Sequence, residues 1–324
     1  MCLFCHRQAR WEKAYSKQSH LIHEQTIRAT VECSGVGLHS GAPVQLRILP
    51  AASGTGIVFR RTDLDGFEVE AVSRNVARVS YATSLMKRGV LISTTEHLLS
   101  AFVGMGIDNA IVELDNLELP ILDGSAQPFV ELIRRAGIRK QRRARSFLKV
   151  LRPLELREGN KFIGLYPADH YSVSYTIDFP HRLIGRESRT LELTNGHYLA
   201  EIAAARTFGF LHEAELMRQQ GLIRGASEQN AIVLTRDGLV NPPLRYTDEF
   251  VRHKILDLIG DLALIGRRIL ANVVADRAGH AMHTALVSRL LRDQASWEEV
   301  TLAEQKDDVT NALVEPERPS IPLQ

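Results

Sequence analysis

The chain contains few cysteines and no long apolar segment, and these absences exclude several classes of protein. Cys2, Cys5 and Cys33 are the only cysteines among 324 residues, too few for a disulfide framework. No apolar run approaches the ~18 residues of a membrane span, and the first 25 residues lack the apolar core of a secretory signal. We therefore expect a cytoplasmic protein that does not insert stably into a membrane.

An excess of charge of either sign is also absent. The 40 lysines and arginines nearly balance the 38 aspartates and glutamates, which leaves a formal net charge of +2. A nearly neutral chain has no global attraction for nucleic acid or another polyanion. Basic residues do cluster at positions 134–145, but no aromatic residues are interleaved with them. We interpret this basic stretch as a solvated interdomain linker and predict no nucleic-acid partner.

The N-terminal sequence Cys2-Leu3-Phe4-Cys5-His6 matches two cofactor patterns that the rest of the chain does not support. It has the spacing of covalent haem attachment, and it could supply half of a zinc site. Haem attachment requires export, for which no signal is present, and no second cysteine pair completes a zinc site. We interpret residues 1–24 as a flexible tail and residues 303–324, which are rich in proline, as a second one.

The length and the hydrophobic content favour about two domains with cores of their own. Of the 324 residues, 44% are hydrophobic, and we place the domains at residues 25–142 and 143–302. Strand-like and helix-like apolar patterns alternate irregularly, as in α+β proteins. Predicted strands cover residues 26–31, 44–48, 108–114, 147–156, 162–166 and 171–179, and predicted helices cover 93–103, 127–136, 200–208, 213–220 and 248–265.

The predicted helix at residues 248–265 carries three polar side chains on one side. His253, Asp257 and Asp261 recur every fourth residue and therefore stack along one helix face. Phe250 lies on the same side, so the helix is apolar nearly all round and its aspartates need counter-charges. A bound metal ion and a salt-bridged interior would both meet this need, and both interpretations stay open at this point.

A second histidine–carboxylate pair, Glu96-His97, lies at the start of the first predicted helix. Ser93 and Glu96 fit a capping box, in which Glu96 would accept a hydrogen bond from the Ser93 amide, and a lone histidine is often a core residue. Taken with His253 and Asp257, however, His97 completes a set of two histidines and one carboxylate. Such a set leaves the fourth position of a zinc ion free for water.

Amide hydrolysis at a zinc site also needs a base and an acid. Glu96 is adjacent to a candidate ligand and is the candidate base. His280 follows Gly279 in a predicted loop, where its ring could approach a substrate. Asp261, one helical turn beyond Asp257, could hold the His280 ring in its cationic form. We interpret His280 as an acid or an electrostatic clamp.

A series of motifs occurs in a fixed order along residues 26–301. They are Gly35-Val36-Gly37-Leu38-His39-Ser40-Gly41, Ser93 to Leu99, Gly106-Ile107-Asp108-Asn109, Asp123-Gly124-Ser125-Ala126, Ile177-Asp178-Phe179, Ala205-Arg206-Thr207-Phe208-Gly209-Phe210, Asp248 to Asp261 and Gly279-His280-Ala281. In this order they resemble the UDP-3-O-acyl-N-acetylglucosamine deacetylase family, zinc enzymes that commit bacteria to lipid A synthesis. Met282-His283-Thr284 departs from the usual family sequence.

The resemblance implies a metal site and an acid–base pair. Zinc would be bound by His97, His253 and Asp257. Glu96 would be the general base. His280 would be the general acid or the oxyanion stabiliser, supported by Asp261.

The resemblance also implies contacts to the substrate. Thr207 and Lys254 would polarise the acetyl carbonyl and stabilise the tetrahedral oxyanion. Phe179 and Phe208 would flank the sugar or the acyl region. Arg277 would bind the diphosphate, which suits a guanidinium.

The fold implied by the resemblance consists of two similar α+β domains, each a β-sheet with helices, and the helices pack between the two sheets. An apolar passage for the acyl chain would lie in the second domain. The implied partner is a small molecule, acylated UDP-N-acetylglucosamine, and we expect a monomer. The alternatives are a zinc hydrolase for another acetamido sugar, an inactive protein that binds a sugar nucleotide or a lipid, and a regulator that binds RNA.

Overall fold

The fold was analysed in a computed structural model. It describes residues 22–77, 81–241 and 243–301. The cysteine–histidine pattern at residues 2–6 and the predicted tail at residues 303–324 lie outside these ranges. Within the predicted N-terminal tail, the first strand already begins at His23, and Glu24 is buried. Regular structure therefore begins earlier than the sequence predicts.

Strands and helices of the described residues are numbered here in chain order. The strands are β1 His23–Ile27, β2 Val31–Val36, β3 Pro43–Pro50, β4 Ile57–Arg61, β5 Phe67–Glu70, β6 Leu85–Lys87, β7 Val90–Ile92, β8 Ala110–Leu114, β9 Ile138–Ala144, β10 Ser146–Val150, β11 Leu154–Glu158, β12 Lys161–Pro167, β13 Tyr171–Phe179, β14 Gly185–Glu192, β15 Phe208–Phe210, β16 Ile232–Leu234, β17 Arg268–Asp276 and β18 Trp297–Thr301. The helices are α1 Glu96–Met105, α2 Gln127–Ala136, α3 Asn195–His197, α4 Leu211–Gln219, α5 Glu249–Leu262 and α6 His280–Arg292.

Two sheets dominate the described part of the chain. The smaller has five strands in the order β2-β3-β8-β4-β5, and the larger has seven, in which β17 pairs with β10, β12 and β13. Strand β3 alternates between exposed and buried residues, with Val44, Leu46 and Ile48 facing the core. That alternation is the sequence signal that predicted a strand at residues 44–48. The strand predicted at residues 26–31 was wrong, because β1 ends at Ile27 and pairs with β9, whereas the partner of β3 is β2, which begins at Val31.

Four of the helices, α1, α2, α5 and α6, form a layer between the two sheets. Helix α1 packs against α5, and α2 packs against both α1 and strand β2 of the smaller sheet. On the other side, α5 contacts β13 and β14, and α6 contacts β11 and β12 of the larger sheet. One hydrophobic cluster contains residues of both sheets and of the helices between them. The predicted α+β class with interposed helices is confirmed, whereas the boundary near residue 142 and the similarity of the two halves stay predictions.

The close crossing of α1 and α5 depends on Gly260. A Cβ atom built at this position would lie 2.0 Å from the backbone oxygen of Glu96. Only a residue without a side chain lets the helix backbones approach this closely. The crossing brings the start of α1 against the polar side of α5, where His253 and Asp257 are located.

Several predictions about local structure were wrong. Helix α1 begins at Glu96 and not at Ser93, because the Ser93 amide donates to the carbonyl of Leu117 instead of to the Glu96 side chain. His280 does not lie in a loop but is the first residue of α6. At residues 200–208 the chain forms a π-helical turn, Tyr198–Ile202, followed by the start of β15.

The basic stretch is also more ordered than a linker. Within it, β9 pairs antiparallel with β1, and polar residues on both faces of β9 conceal the strand from pattern analysis. Arg139 and Arg142 are exposed, as predicted. Arg145 is 2% exposed, and its guanidinium donates to Asp108 at 2.6 Å. The polar sequence therefore includes a largely buried ion pair.

None of the helices in the described residues combines the length and the hydrophobicity that crossing a membrane requires.

Candidate active site

The structure brings three predicted ligands together where α1 crosses α5. The Nε2 atoms of His97 and His253 lie 3.7 and 3.3 Å from Asp257 Oδ1. One ligand atom of each residue lies within 4.8 Å of the other two, and all three side chains are buried. Every residue of α5 except Lys254 is buried, so the helix is enclosed, as the sequence predicts.

The hydrogen bonds of the cluster leave lone pairs directed into it. His253 donates from Nδ1 to the carbonyl of Ala205 at 3.1 Å, which leaves the Nε2 lone pair on the side of Asp257. Burial lowers the pKa of His253 to about 3, so its ring is neutral. Burial would raise the pKa of Asp257, but the positive charges of Lys254 and His280 outweigh it and hold this pKa well below its usual value. Neutral imidazole and ionised carboxylate are the donors that zinc prefers.

Glu96 lies beside this cluster and does not cap its helix. Its Oε2 accepts a hydrogen bond from the amide of Thr83 at 3.1 Å. Burial raises the pKa of Glu96 above its usual value. The carboxyl group lines a pocket together with His97 and Asp257, which is the position that proton exchange with a water molecule in the pocket requires.

His280 pairs with Asp261 on the other side of the pocket. Its Nδ1 donates to Asp261 Oδ2 at 2.7 Å, and its Nε2 lies 3.8 Å from Asp257 Oδ2. Burial opposes the charged form, but the Asp261 carboxylate raises the pKa of His280 to about 9. The ring is therefore cationic at neutral pH and can give up a proton from Nε2.

Predicted substrate-contacting residues also line this pocket, which has a volume of about 310 Å³. Thr207 immediately precedes β15, and its amide donates to the carbonyl of Gly124. Lys254 Nζ donates to Asp257 Oδ2 at 2.8 Å, and burial, which would lower the pKa of Lys254, is outweighed by that carboxylate. The rings of Phe179 and Phe208 meet edge to face at 5.6 Å.

A larger pocket of about 700 Å³ adjoins the first and shares part of its wall. The shared wall includes Thr207, Phe208 and Phe210. Its further lining is largely apolar and comes from α4 and the segments around β16: Leu211, Ala214, Met217, Ile223, Val233 and Val240. An apolar space of this size beside a polar pocket suits a molecule with one polar and one apolar end.

Like Asp261, Arg277 is a predicted site residue that lines neither pocket. Its guanidinium donates to the neighbouring Asp276 at 2.9 Å. Its backbone has a φ of 53° in the turn before α6. Its role with a diphosphate stays a prediction.

Sequence reasoning assigned no role to four polar residues around the site. Neither ring nitrogen of His39 has a hydrogen-bond partner among the described residues, although both are buried and the residue lines the pocket. The motif of residues 35–41, in which glycines flank His39, was the sequence signal from which a role for this histidine could have been inferred. Glu118 accepts from the His39 amide at 2.8 Å and holds this loop. Thr83 and His283 belong to no recognisable pattern, because only the fold brings them to Asp261.

An α+β fold that buries two histidines and an aspartate beside a pocket, with a glutamate next to one histidine, has the donor set of mononuclear metal hydrolases. A sequence profile described as UDP-3-O-acyl N-acetylglycosamine deacetylase matches residues 24–292. The chain belongs to this family.

Two named proteins are similar to this chain over most of its length. One from Solibacter usitatus (strain Ellin6076) is 55% identical over 292 residues, which is 90% of this chain and 99% of the relative. Another from Cellvibrio japonicus (strain Ueda107) is 42% identical over 290 residues, which is 88% of this chain and 96% of the relative. Both are named UDP-3-O-acyl-N-acetylglucosamine deacetylase.

Proposed function

We propose that this protein is a zinc-dependent amidohydrolase that removes the acetyl group of UDP-3-O-acyl-N-acetylglucosamine, the committed step of lipid A biosynthesis. The observation that carries the proposal is the convergence of His97, His253 and Asp257 beside Glu96, with His280 across the same pocket. Family membership and the names of both relatives support the substrate.

Zinc would be held by His97, His253 and Asp257. The fit rests on the donor chemistry, since His253 is neutral with its Nε2 lone pair directed into the cluster and Asp257 is ionised. When bound, zinc would supply a Lewis acid that polarises the acetyl carbonyl and makes a water molecule easier to deprotonate.

The acid–base work falls to Glu96 and His280. Glu96 accepts a proton from water as the water oxygen bonds to the acetyl carbon. His280, cationic through its contact with Asp261, donates a proton to the sugar nitrogen as the C–N bond breaks. The proton held by Glu96 then passes through solvent to restore the His280 cation, and the acid proton of the product passes to the amine. Amide and water thus give acetate and an ammonium group, and atoms and charge balance without a further reactant.

The remaining side chains would bind and orient the substrate. Lys254 and Thr207 would donate to the oxygen of the acetyl group, on which negative charge develops. Phe179 and Phe208 would pack against the sugar or the start of the acyl chain, which would continue into the pocket of about 700 Å³. Arg277, which donates to Asp276, would bind the doubly charged diphosphate through charge-assisted hydrogen bonds.

The proposal is tested by measuring acetate released from acylated and unacylated UDP-N-acetylglucosamine, together with the zinc content. We expect about one equivalent of zinc, loss of turnover after chelation with recovery on adding zinc, and a strong preference for the acylated substrate. Asp257→Asn should lose zinc and turnover together, whereas Asp237→Asn, at an exposed position, should lose neither. Turnover that survives complete removal of metal would refute the zinc mechanism, and equal rates on both substrates would refute the acyl specificity.

A further inference from the structure

A second histidine contacts the carboxylate that supports the proposed acid. His283 is completely buried, and its Nδ1 lies 2.8 Å from Asp261 Oδ2. His280 Nδ1 lies 2.7 Å from the same oxygen. An ionised carboxylate only accepts hydrogen bonds, so both rings donate from Nδ1. The two histidines are three residues apart on α6, which places them on the same side of the helix.

The far side of the His283 ring is also held. Its Nε2 lies 3.1 Å from the hydroxyl oxygen of Tyr175, and the two rings meet edge to face at 5.9 Å. The Tyr175 hydroxyl donates to the carbonyl of Ala278 at 2.7 Å, two residues before His280. His283 is thus linked to His280 by hydrogen bonds through the Asp261 carboxylate, and it packs against Tyr175, which holds the turn that begins α6.

Asp261 could rotate about its side-chain bonds if His280 were its only partner on Oδ2. With Thr83 at Oδ1 at 2.5 Å and His283 at Oδ2, the carboxylate plane is fixed from two sides before His280 binds to it. A fixed carboxylate in turn fixes the plane of the His280 ring and the direction of its Nε2 atom. Placement of this kind matters because proton transfer depends steeply on donor geometry.

We propose that His283 is a positioning residue, which holds Asp261 so that His280 presents Nε2 to the substrate. The role of His280 as the acid rests on the proposed function. His283 itself lines neither pocket, so it acts only through Asp261 and His280.

A second metal ion is the competing explanation, because Asp261, His280 and His283 also offer ligand atoms within 4.8 Å of one another. The hydrogen-bond distances argue against it. Both Nδ1 atoms direct their protons at the same carboxylate oxygen, so neither has a lone pair for a metal there.

The test replaces His283 with three side chains that differ in which contact they keep. Asparagine places an amide nitrogen near the position of Nδ1 and keeps the donation to Asp261, whereas glutamine reaches the position of Nε2 and keeps only the Tyr175 side. Leucine has nearly the shape of asparagine and keeps neither. His170→Asn, at an exposed position, is the control for replacing a histidine elsewhere.

We expect kcat to fall at least about tenfold in His283→Leu and in His283→Gln, with KM and zinc content nearly unchanged. His283→Asn should stay within about threefold of the wild type, since it keeps the donor. Equal losses in the asparagine and leucine variants, or a wild-type kcat in His283→Leu, would overturn the proposal. If the leucine variant does not fold, the asparagine and glutamine variants are compared instead. A kcat near the wild type in His283→Asn together with a loss in His283→Gln supports the proposal, and equal values in the two variants would overturn it.

A measurement that does not depend on catalysis tests this proposal independently of the proposed function. In the NMR spectrum of ¹⁵N-histidine-labelled, metal-free protein, the Nδ1 proton of His280 should be protected from exchange and is assigned by its loss in His280→Ala. We expect this signal to persist in His283→Asn and to disappear through exchange in His283→Leu. A protected His280 proton in both variants would overturn the positioning role, even if the protein released no acetate.

Discussion

The hydroxyl of Thr83 donates to Asp261 Oδ1 at 2.5 Å across the junction between the segment before β6 and helix α5. The amide of the same residue donates to Glu96 Oε2 at 3.1 Å. Thr83 is completely buried. One residue therefore contacts both the proposed base and the carboxylate that orients the proposed acid, and it couples the two sides of the pocket.

Thr83→Val should weaken catalysis without removing the metal. Valine keeps the shape of threonine and the hydrogen bond from the backbone amide to Glu96. It removes the hydroxyl hydrogen bond to the charged Asp261, and such a bond contributes about 1.5–3 kcal/mol. We expect kcat to fall roughly tenfold or more with zinc content unchanged. Thr83→Ser is the matched control, because it keeps the hydroxyl and should retain most of kcat. A serine variant as slow as the valine variant would mean that packing, and not the hydroxyl, is responsible.

Local periodicity predicted those parts of the site that lie on one helix. His253, Asp257 and Asp261 share a face of α5 because residues four apart always do, and the enclosure of that helix followed from the apolar residues around it. The meeting of His97 with this face was inferred from donor chemistry and family resemblance. No spacing rule could derive it, since it depends on the crossing at Gly260.

The errors arose where contacts between residues remote in sequence decided the structure, or where a strand carried no pattern. Ser93 and Glu96 have the spacing of a capping box, but tertiary partners, Leu117 for the Ser93 amide and Thr83 for the Glu96 carboxylate, replaced the local bond. Strand β9 is charged on both faces, so it carries no alternation signal. His283 was noted only as part of a departure from the usual family sequence and received no role, because its partners Tyr175 and Asp261 are remote in sequence.

Glu96→Gln should retain zinc yet lose most of its turnover. Glutamine has the same shape and can still accept from the Thr83 amide, but it cannot take a proton from water. Loss of a general base costs about 10²–10⁴ in kcat. Zinc content by elemental analysis and acetate release under saturating zinc are measured on the same sample. A variant that lost zinc but kept its rate when zinc was supplied would show that Glu96 is structural.

The Asp261–His280 pair predicts how stability depends on pH in the metal-free protein. The pKa of His280 is raised from 6.5 to about 9 on folding. Its contribution is therefore complete below pH 6.5 and is lost as the pH rises through about 9. The pKa of Asp261 is lowered, so the contribution of Asp261 is lost only as the pH falls below its usual value.

Chemical unfolding with chelator present, between neutral pH and pH ~10, measures this effect. Relative to His280→Gln, the wild type should lose up to about 3 kcal/mol of unfolding free energy over that interval, since each pKa unit corresponds to about 1.4 kcal/mol. Subtracting the variant removes contributions from other groups, such as the Cys33 thiol, whose pKa burial raises to about 11. A difference that is constant with pH would contradict the pairing.

Ala214→Phe should separate acyl recognition from chemistry. Ala214 lies on α4 and lines the pocket of about 700 Å³ but not the pocket of about 310 Å³ that contains Glu96 and His280. A phenyl ring there would occupy space that we assign to the acyl chain. We expect kcat/KM to fall roughly tenfold for the long-chain substrate and to change little for one with a short acyl group. A parallel loss on both substrates would place the acyl chain elsewhere or indicate a general distortion.

Gly260→Ala should destabilise the fold, although alanine normally favours a helix over glycine by about 1 kcal/mol. The new Cβ would lie 2.0 Å from the backbone oxygen of Glu96, and backbone, unlike a flexible side chain, cannot turn away. The helices α1 and α5 would have to separate, which costs about 1–3 kcal/mol or more. Separation would also move His97 away from Asp257, so zinc affinity should fall with stability. Gly196→Ala is the control, because its Cβ would meet only Thr194 Oγ1 at 3.9 Å. Equal melting temperatures and zinc affinities for the two variants would mean that the crossing of α1 and α5 tolerates a methyl group and does not fix the distance between the ligands.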